Sequence, residues 1–339
     1  TEAAEVMGVG EEALESLRGA QENDVGMVFV QADGSELDIS YAQILRQAKA
    51  RLAGLREAGV PTGVPVPMVV NHGPDFLVTF WACILGGIIP APLTYPTSFT
   101  SANNALTKVY EVWQQLERRP ILGDRMLAEK LAQTELIDTS SMRVLVGDDL
   151  DRPDTDVETT PGRADDIAFI QYSSGSTGSP KGVTLTHRNL LINVEALMLA
   201  TEHKSGETTA SWMPFSHDMG LICLHLFPLA GLAKQINMAP QLFVRRPLLW
   251  LEKIAQHRAV LTGSPNFGYR LVLDKLTPEH VQALDLSPLR VILNGAEPIS
   301  VPLMREFTEA LTPSGLRPEA VYPVYGMAEA SVGLAIPPM

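Results

Sequence analysis

The segment from Tyr172 to Val183 reads Tyr-Ser-Ser-Gly-Ser-Thr-Gly-Ser-Pro-Lys-Gly-Val, which surrounds one lysine with hydroxyl-bearing and small residues. Glycines let backbone N–H groups approach an anion, hydroxyls add donors, and lysine adds positive charge. The apolar run from Ile167 to Tyr172 predicts a buried strand before this segment, whereas a solvated Ser/Gly linker would be flanked by polar sequence. We predict that 172–183, called here the phosphate-loop motif, binds phosphate; a linker is the alternative.

A helix is predicted after the motif, because Thr186 is a suitable N-cap and the following apolar residues share one helical face. These residues are Leu190, Leu191, Val194, Leu197 and Met198. The motif is therefore expected to join a strand to a helix. A Walker-type loop would have glycine directly before its lysine and serine or threonine directly after it. Pro180 and Gly182 hold those positions, so a different class of phosphate-binding loop is indicated.

Composition narrows the class of protein. The chain has 339 residues, of which 45% are hydrophobic and 19% charged, as is usual for a folded α/β protein. Its formal net charge of -13 disfavours a nucleic-acid surface, which needs clustered lysine and arginine. The two cysteines, Cys83 and Cys223, stand in apolar segments and predict reduced thiols. The acidic N-terminus does not resemble a secretory signal, so we expect a cytoplasmic protein.

The longest apolar run extends from Phe76 to Leu93 and approaches the length of a membrane span. Gly86, Gly87, Pro90 and Pro92 interrupt it, which favours a helix, a turn and a strand within a folded core. We therefore predict no membrane span.

The sequence predicts two α/β lobes with mostly parallel sheets flanked by helices. Ser40 and Gln43 form a capping box for a helix that ends near Gly59, and strand, helix and strand patterns follow at 64–70, 76–85 and 88–93. Such alternation builds parallel sheets. The first lobe is expected at 1–150 and the second at 167–339. An exposed acidic connection at 151–166, with solvated charges, is expected between them.

Four more turn-like segments follow strand patterns in the second lobe. They are 213–220, 264–267, 294–298 and 325–329. Because the carboxyl ends of parallel strands lie along one edge of a sheet, these segments and the phosphate-loop motif are predicted to form one composite crevice.

These five segments, in this order, resemble the adenylate-forming superfamily, which includes acyl-CoA synthetases, luciferases and the adenylation domains of peptide synthetases. The segments 212–220, 243–250 and 264–269 are similar to its fatty acyl-AMP ligase branch. The resemblance implies that a medium- or long-chain fatty acid is activated with ATP to acyl-adenylate and pyrophosphate. The acyl group would then pass to the phosphopantetheine thiol of an acyl carrier protein, in lipid, polyketide or lipopeptide biosynthesis.

The resemblance also implies roles for individual residues. Residues that would bind the ATP phosphates are Ser173, Ser174, Gly175, Ser176, Thr177 and Lys181. Residues that would bind adenine are Asn294, Gly295, Ala296, Glu297, Tyr325, Gly326 and Met327. Residues that would border the acyl group are Ser216, His217, Met219, Gly220 and Ile222. Lys181, His217 and Glu329 would be catalytic, and Glu329 would bind Mg2+, which prefers carboxylate oxygen.

Structural roles remain alternatives for several of these residues. The alternative for Glu329 is a solvated loop acid, that for Tyr325 is a buried aromatic whose hydroxyl is bonded, and that for His217 is a structural histidine. The apolar run 221–227 suits either an acyl tunnel or ordinary core packing. His187 and Arg188 are expected in the first turn of a helix, with no catalytic role.

Two features of the family do not occur in this sequence: a Thr-Gly-Asp segment, whose aspartate holds the ribose, and a mobile C-terminal domain with its lysine. We therefore expect the chain to be a fragment of the large N-terminal domain that adenylates weakly or not at all alone. A fatty acyl-CoA ligase is the first alternative function. A nonreactive adenylate-binding or carrier-docking module is the second.

Overall fold

The structure of the protein is a computed structural model, and it describes residues 26–101, 103–153, 157–160, 162–173 and 179–337. Its strands are β1 (Gly26–Val30), β2 (Glu36–Ser40), β3 (Pro65–Val69), β4 (Ile89–Pro92), β5 (Ile121–Gly123), β6 (Val144–Val146), β7 (Ile167–Ser173), β8 (Lys181–Thr186), β9 (Thr208–Ser211), β10 (Lys234–Met238), β11 (Leu261–Ser264), β12 (Val291–Asn294), β13 (Val321–Pro323), β14 (Tyr325–Met327) and β15 (Val332–Ala335).

The α-helices are α1 (Tyr41–Glu57), α2 (Pro74–Leu85), α3 (Asn104–Gln115), α4 (Arg125–Gln133), α5 (Gly147–Leu150), α6 (His187–Ala200), α7 (Phe227–Ala230), α8 (Pro240–Arg245), α9 (Pro247–Gln256), α10 (Asn266–Leu273), α11 (Pro278–Ala283) and α12 (Val301–Leu311). A π-helix spans Met219–Leu226, and short 3-10 helices lie at Thr312–Ser314, Pro318–Ala320 and Ala328–Ala330.

These elements form two compact units. Over the described residues, unit 1 contains 42–191 and 215–217, and unit 2 contains 26–41, 192–214 and 218–337. The β7–β8 pair, which the sequence assigned to the second lobe, lies in unit 1. The lobe boundaries themselves stay a prediction.

Unit 2 is built on a seven-stranded sheet with the order β13-β12-β11-β9-β10-β1-β2. All neighbouring strands are parallel except β2, which runs antiparallel to β1. Its core is rich in aromatic side chains: Trp212 stacks on Phe243 with ring centroids 4.0 Å apart, and the buried Tyr269 hydroxyl donates to the Leu293 carbonyl. The prediction of a mostly parallel α/β fold is confirmed.

The four predicted turn segments of the second lobe follow four adjacent strands of this sheet. Segment 213–220 comes after β9, 264–267 begins at the end of β11, 294–298 at the end of β12, and 325–329 comes after β13. The register pairs Ser264 with Asn294 and Asn294 with Pro323, so these strands end side by side. The parallel topology therefore brings 264–267, 294–298 and 325–329, together with Met213 and Pro214 after β9, to one edge of the sheet.

Unit 1 contains a parallel four-stranded sheet with the order β4-β3-β5-β6. The apolar run that begins at Phe76 forms α2, in which Phe76 to Leu85 are all buried, and Gly87 then turns the chain into β4 with a φ of 62°. Glycine adopts this left-handed conformation without steric cost. Within the described ranges, no helix combines the length and apolarity that crossing a membrane requires.

The phosphate-loop motif does not join a strand directly to a helix, so that prediction was wrong. β7 and β8 form an antiparallel pair in which Ser173 lies opposite Lys181, and α6 begins only after β8. The second strand escaped the sequence pattern because Val183 and Leu185 alone supply its apolar alternation, which is too short to tell a strand from a loop. The helix after β8 is capped as predicted, since Thr186 Oγ1 accepts the Asn189 N–H at 3.1 Å.

The acidic connection does more than carry solvated charge, contrary to the expectation from its composition. Asp151 accepts hydrogen bonds from Nε and Nη2 of Arg51 at 2.9 and 3.0 Å. The Arg51 side chain is only 3% exposed, and it also pairs with Asp75 and donates to Thr79 Oγ1. The connection is therefore fastened to α1 by a buried guanidinium.

Three buried polar side chains form a network in unit 2. Gln235 Oε1 lies 3.0 Å from Nδ1 of His225, and its Nε2 donates to the Tyr41 hydroxyl at 2.6 Å. The Tyr41 hydroxyl donates in turn to the Ala233 carbonyl. Burial lowers the pKa of His225 to about 4. The histidine is therefore neutral in the folded protein at neutral pH.

We expect the free energy of unfolding to fall as the pH drops from about 6.5, the pKa of an unfolded histidine, towards about 4, the folded pKa of His225. In this window the unfolded chain binds a proton that the folded protein does not, so each such histidine contributes a slope of at most about 1.4 kcal/mol per pH unit. Urea unfolding of wild type and His225→Gln at pH 7, 6 and 5 measures this pH dependence of the free energy of unfolding. The variant should show the shallower slope; equal slopes would contradict the assignment.

Candidate functional site

The flanks of the phosphate-loop motif lie in unit 1. Ser173 ends β7 and is half-buried, whereas Lys181 begins β8 and is exposed. Gly182 has no room for a side chain, because a Cβ there would lie 2.8 Å from Ile170 Cγ2 and 3.1 Å from the Tyr172 ring. The predicted phosphate ligands Ser174, Gly175, Ser176 and Thr177 lie outside the described residues.

The segment Phe215–His217 also belongs to unit 1 and is attached to the strand that leads into the motif. Gln171 in β7 donates from Nε2 to the Ser216 carbonyl at 2.9 Å. The Phe215 ring stacks on His72 with centroids 4.1 Å apart, and burial lowers the pKa of His72 to about 3. His217 is exposed between these anchored residues and the π-helix. The backbone before His217 is thus fixed by Gln171 and by the Phe215 ring.

The other predicted acyl-binding residues lie on the π-helix of unit 2. Met219, Gly220 and Ile222 are all buried, as is the whole helix. π-helices are rare and are frequently found at functional sites. Asp218 caps this helix by accepting the Met219 N–H at 2.6 Å. Apart from His225, whose ring is held by Gln235, the helix therefore forms an apolar and buried segment directly after His217.

Replacement of Gly220 by alanine is expected to lower the free energy of unfolding by about 1–3 kcal/mol, the usual cost of overpacking a core. An added Cβ would overlap the Pro214 carbonyl oxygen, and backbone cannot move aside as a flexible side chain does. Chemical denaturation measures the loss. Gly73→Ala is the matched control, since a Cβ there meets no atom within 4 Å. Equal stability of the two variants would contradict the packing described for Pro214 and Gly220.

A cavity of about 820 Å³ lies in unit 2 beside the predicted adenine-binding segments. Four of the seven predicted adenine residues line it: Ala296, Glu297, Tyr325 and Gly326. The Tyr325 side chain is 59% exposed, which leaves a ring face open for stacking. Gly295 and Met327 do not line the cavity, and Asn294 lines a neighbouring one of about 350 Å³.

The backbone around this cavity has conformations that constrain its residues. Ala296 has a φ of 69°, in the left-handed region that residues other than glycine seldom adopt. Glu297 Oε1 accepts the Phe267 N–H at 3.2 Å, which ties this turn to α10. A Cβ at Gly326 would overlap the Val332 carbonyl oxygen across the β14–β15 pair. The cavity wall is therefore shaped by close backbone contacts.

Glu329 is exposed on the 3-10 helix Ala328–Ala330. Asn193 in α6 holds this segment through hydrogen bonds to the Ala330 carbonyl and to both backbone groups of Gly333. Within the described ranges no three His, Cys, Asp or Glu side chains are grouped to hold a metal ion. A nucleotide-bound Mg2+ usually takes one or two carboxylates, with phosphates and water as its other ligands. One exposed carboxylate fits that donor set.

Some residues around the site were not singled out by sequence reasoning. Gln171, Asn193 and His72 make their contacts through the tertiary fold, and each stands in the sequence as a polar residue inside or beside an apolar run. A polar residue within or beside an apolar run is the sequence signal that could have identified these three residues. His187, by contrast, occupies the first turn of α6 as predicted, and burial lowers its pKa to about 4.

Comparison with known proteins gives a consistent result. The AMP-binding enzyme family matches residues 18–339. The 4-hydroxyphenylalkanoate adenylyltransferase of Mycobacterium tuberculosis is 30% identical over 291 residues, which are 81% of this chain and 45% of that protein. The long-chain-fatty-acid AMP ligase FadD32 of Mycolicibacterium smegmatis is 34% identical over 321 residues, which are 90% of this chain and 49% of that protein. The chain thus spans about half the length of these curated relatives.

The fold is also shared with a solved structure, that of the fatty acyl-adenylate ligase from L. pneumophila in complex with acyl adenylate and pyrophosphate. The two have a TM-score of 0.88 and 29% sequence identity, over 98% of this chain and 57% of that one. Since the family match covers nearly the whole sequence, the chain belongs to the AMP-binding enzyme family.

Proposed function

We propose that this chain forms the nucleotide and acyl site of a fatty acyl-AMP ligase. The observation that carries the proposal is the likeness over 98% of the chain to the L. pneumophila ligase that holds acyl adenylate and pyrophosphate. In the proposed reaction a carboxylate oxygen bonds to the α-phosphorus of ATP. The bond from that phosphorus to the bridging oxygen of pyrophosphate breaks, and pyrophosphate carries away the negative charge.

The phosphate end of the reaction would lie at the phosphate-loop motif. Ser173, Ser174, Gly175, Ser176, Thr177 and Lys181 would donate to the β- and γ-phosphates. Donors that are already in place stabilise the charge that develops on the leaving pyrophosphate, and this stabilisation is the main catalytic requirement of such a transfer. The exposed Lys181 would supply positive charge there. No protein nucleophile is needed.

The adenine end would lie in the 820 Å³ cavity of unit 2. Tyr325 would stack on the base, and the backbone of Asn294, Gly295, Ala296 and Glu297, with Gly326 and Met327, would complete the pocket. Glu329 would hold Mg2+, whose charge neutralises phosphate oxygens when it is bound. Asn193, which donates to the Ala330 and Gly333 carbonyls and accepts the Gly333 N–H, would hold the segment that carries Glu329.

The acyl end would be bordered by Ser216 and His217, followed by Met219, Gly220 and Ile222 of the π-helix. Transfer of an alkyl chain from water to an apolar site is favourable by about 0.8 kcal/mol for each methylene that is buried. The buried π-helix, whose side chains are apolar except for His225, suits this requirement. His217 would orient the carboxylate or border the path of the acceptor thiol.

Binding of the ligands by this chain does not imply that the chain alone catalyses adenylation. The sequence contains no Thr-Gly-Asp segment, and it spans about half of its curated relatives. We therefore expect pyrophosphate exchange with ATP, Mg2+ and dodecanoate to stay near background, although the ligands bind. Robust exchange would refute the proposal that the chain is an incomplete adenylation site.

We propose an acyl carrier protein with a phosphopantetheine arm as the acceptor, in the cytoplasm. Mass spectrometry of reactions with a phosphopantetheinylated carrier and with CoA, using this chain and any longer form of the protein, separates the alternatives. Acyl-carrier product supports the fatty acyl-AMP ligase, and acyl-CoA product supports the fatty acyl-CoA ligase. Adenylate binding without either product in a longer form of the protein, or only carrier binding there, supports a nonreactive module.

A further inference from the structure

Helix α3 forms hydrogen bonds to two residues of the phosphate-loop motif, Tyr172 and Pro180. Lys108 donates from Nζ to the Tyr172 carbonyl at 2.9 Å, and Gln115 donates from Nε2 to the Pro180 carbonyl at 3.3 Å. The two side chains are seven residues apart, which places them on one face of the helix, about 10 Å apart along its axis. One helix therefore holds two residues of the motif that are eight positions apart in the sequence.

The two carbonyl groups have a direct relation to the predicted phosphate ligands. Tyr172 directly precedes Ser173, and Pro180 directly precedes Lys181. A peptide group is planar and trans, so fixing a carbonyl oxygen also fixes the N–H of the next residue, which points the opposite way. Ser173 and Lys181 face each other in the β7–β8 register. α3 thus orients the amide groups of two facing residues.

The contact is supported by packing as well as by hydrogen bonds. Leu106, Val109 and Val112 of α3 lie in one buried cluster with Ile170 and Tyr172 of β7. Asn103 caps α3 by accepting the Leu106 N–H at 2.9 Å. Because α3 is anchored by this cap and this packing, its side chains can hold the two carbonyl groups in fixed positions. Fixed positions are what preorganised hydrogen-bond donors require.

Lys108 also differs from an ordinary surface lysine. Burial lowers the pKa of its ammonium group, and its hydrogen-bond acceptor is a neutral carbonyl. A partly buried cation whose acceptor is neutral costs free energy unless an anion pairs with it. A phosphate anion near Ser173 is the kind of ligand that would benefit from it.

We propose that Lys108 and Gln115 are positioning residues that set the backbone of Ser173 and Lys181 for binding of the pyrophosphate group. This inference rests on the proposed function of the phosphate-loop motif. Gln115→Leu should weaken Mg-pyrophosphate affinity about 3- to 10-fold and Lys108→Met about 10-fold or more, from the strengths of neutral and charged hydrogen bonds. Lys108→Arg should restore most of the affinity, because it keeps the charge and a donor.

The experiment measures Mg-pyrophosphate affinity by calorimetry and, without ligand, amide hydrogen exchange of the peptide covering 172–182. The matched controls are Gln114→Leu, an exposed neighbour of Gln115, and Lys130→Met, an exposed lysine of α4. In Gln115→Leu and Lys108→Met, exchange in 172–182 should accelerate while β5 keeps wild-type protection. The controls should match wild type in both measurements.

The outcomes separate two failures. If wild type binds pyrophosphate and both variants bind it equally well, the positioning role is overturned and the proposed function stands. If wild type does not bind pyrophosphate, the proposed function of the motif fails, and the inference fails with it. If only Lys108→Met is weakened, the effect is that of charge alone, and positioning is overturned. Loss of protection throughout unit 1 would assign both residues to folding instead.

Discussion

Replacing Arg51 by methionine is expected to lower the free energy of unfolding by about 3–5 kcal/mol, the cost of removing one partner from a buried ion pair. The Arg51 side chain is 3% exposed, while those of Asp75 and Asp151 are 37% and 34% exposed. Burial raises the pKa of the Asp75 carboxyl, and Arg51 counteracts that effect. Without Arg51 the carboxylates lose their counter-charge, and the acidic connection loses its attachment to α1.

Urea unfolding of wild type, Arg51→Met and a surface control measures this effect. Arg125→Met is a suitable control, because Arg125 and Asp149 also form an ion pair but are 57% and 60% exposed. Exposed pairs contribute at most about 1 kcal/mol. A loss of less than 1 kcal/mol in Arg51→Met would contradict the description of this ion pair as a buried structural contact.

Replacing Lys181 by methionine is expected to weaken Mg-ATP binding about 10- to 100-fold, since hydrogen bonds to charged groups contribute about 1.5–3 kcal/mol. Lys181 is exposed at the start of β8 and lies opposite Ser173. Its removal should therefore change ligand affinity and leave the thermal midpoint of the ligand-free protein nearly unchanged. Isothermal titration calorimetry and thermal unfolding together measure both quantities.

Lys275→Met, an exposed lysine after α10, should bind Mg-ATP like wild type. Glu329→Ala should weaken Mg-ATP binding more than binding of ATP with excess chelator, because only the former requires the metal. Wild-type affinity in both Lys181→Met and Glu329→Ala would favour a nonreactive module over an enzyme.

Much of the fold followed from local patterns in the sequence. The helix predicted from Ser40 to Gly59 is α1, the strand at 64–70 is β3, and the apolar run after Phe76 forms α2 and β4. Periodicity and capping identify such elements because each is long enough to show its repeat. The β7–β8 pair was missed because half of the β8 residues are exposed and only two, Val183 and Leu185, are apolar. Its pairing depends on the strand before the loop rather than on its own pattern.

The site was only partly accessible from the sequence. The motifs after β9, β11, β12 and β13 were found, since glycine or proline marks each turn. The residues that hold these motifs and the phosphate-loop motif in place were not identified from the sequence. Lys108, Gln171 and Asn193 bond to backbone carbonyls far away in the chain, at sequence separations of 64, 45 and 137 residues. Such contacts depend on tertiary packing, and no local spacing encodes them.

The most direct test of the central claim is a thermal-shift series with nonhydrolysable acyl-adenylate analogues from acetyl to hexadecanoyl. A ligand at one hundred times its Kd stabilises the folded state by about 2.7 kcal/mol. We predict a shift that grows with acyl length and is largest for a medium or long chain, because each added methylene leaves water for an apolar surface. No shift with any analogue, on protein shown to be folded by its cooperative unfolding, would contradict a fatty acyl-adenylate site in this chain.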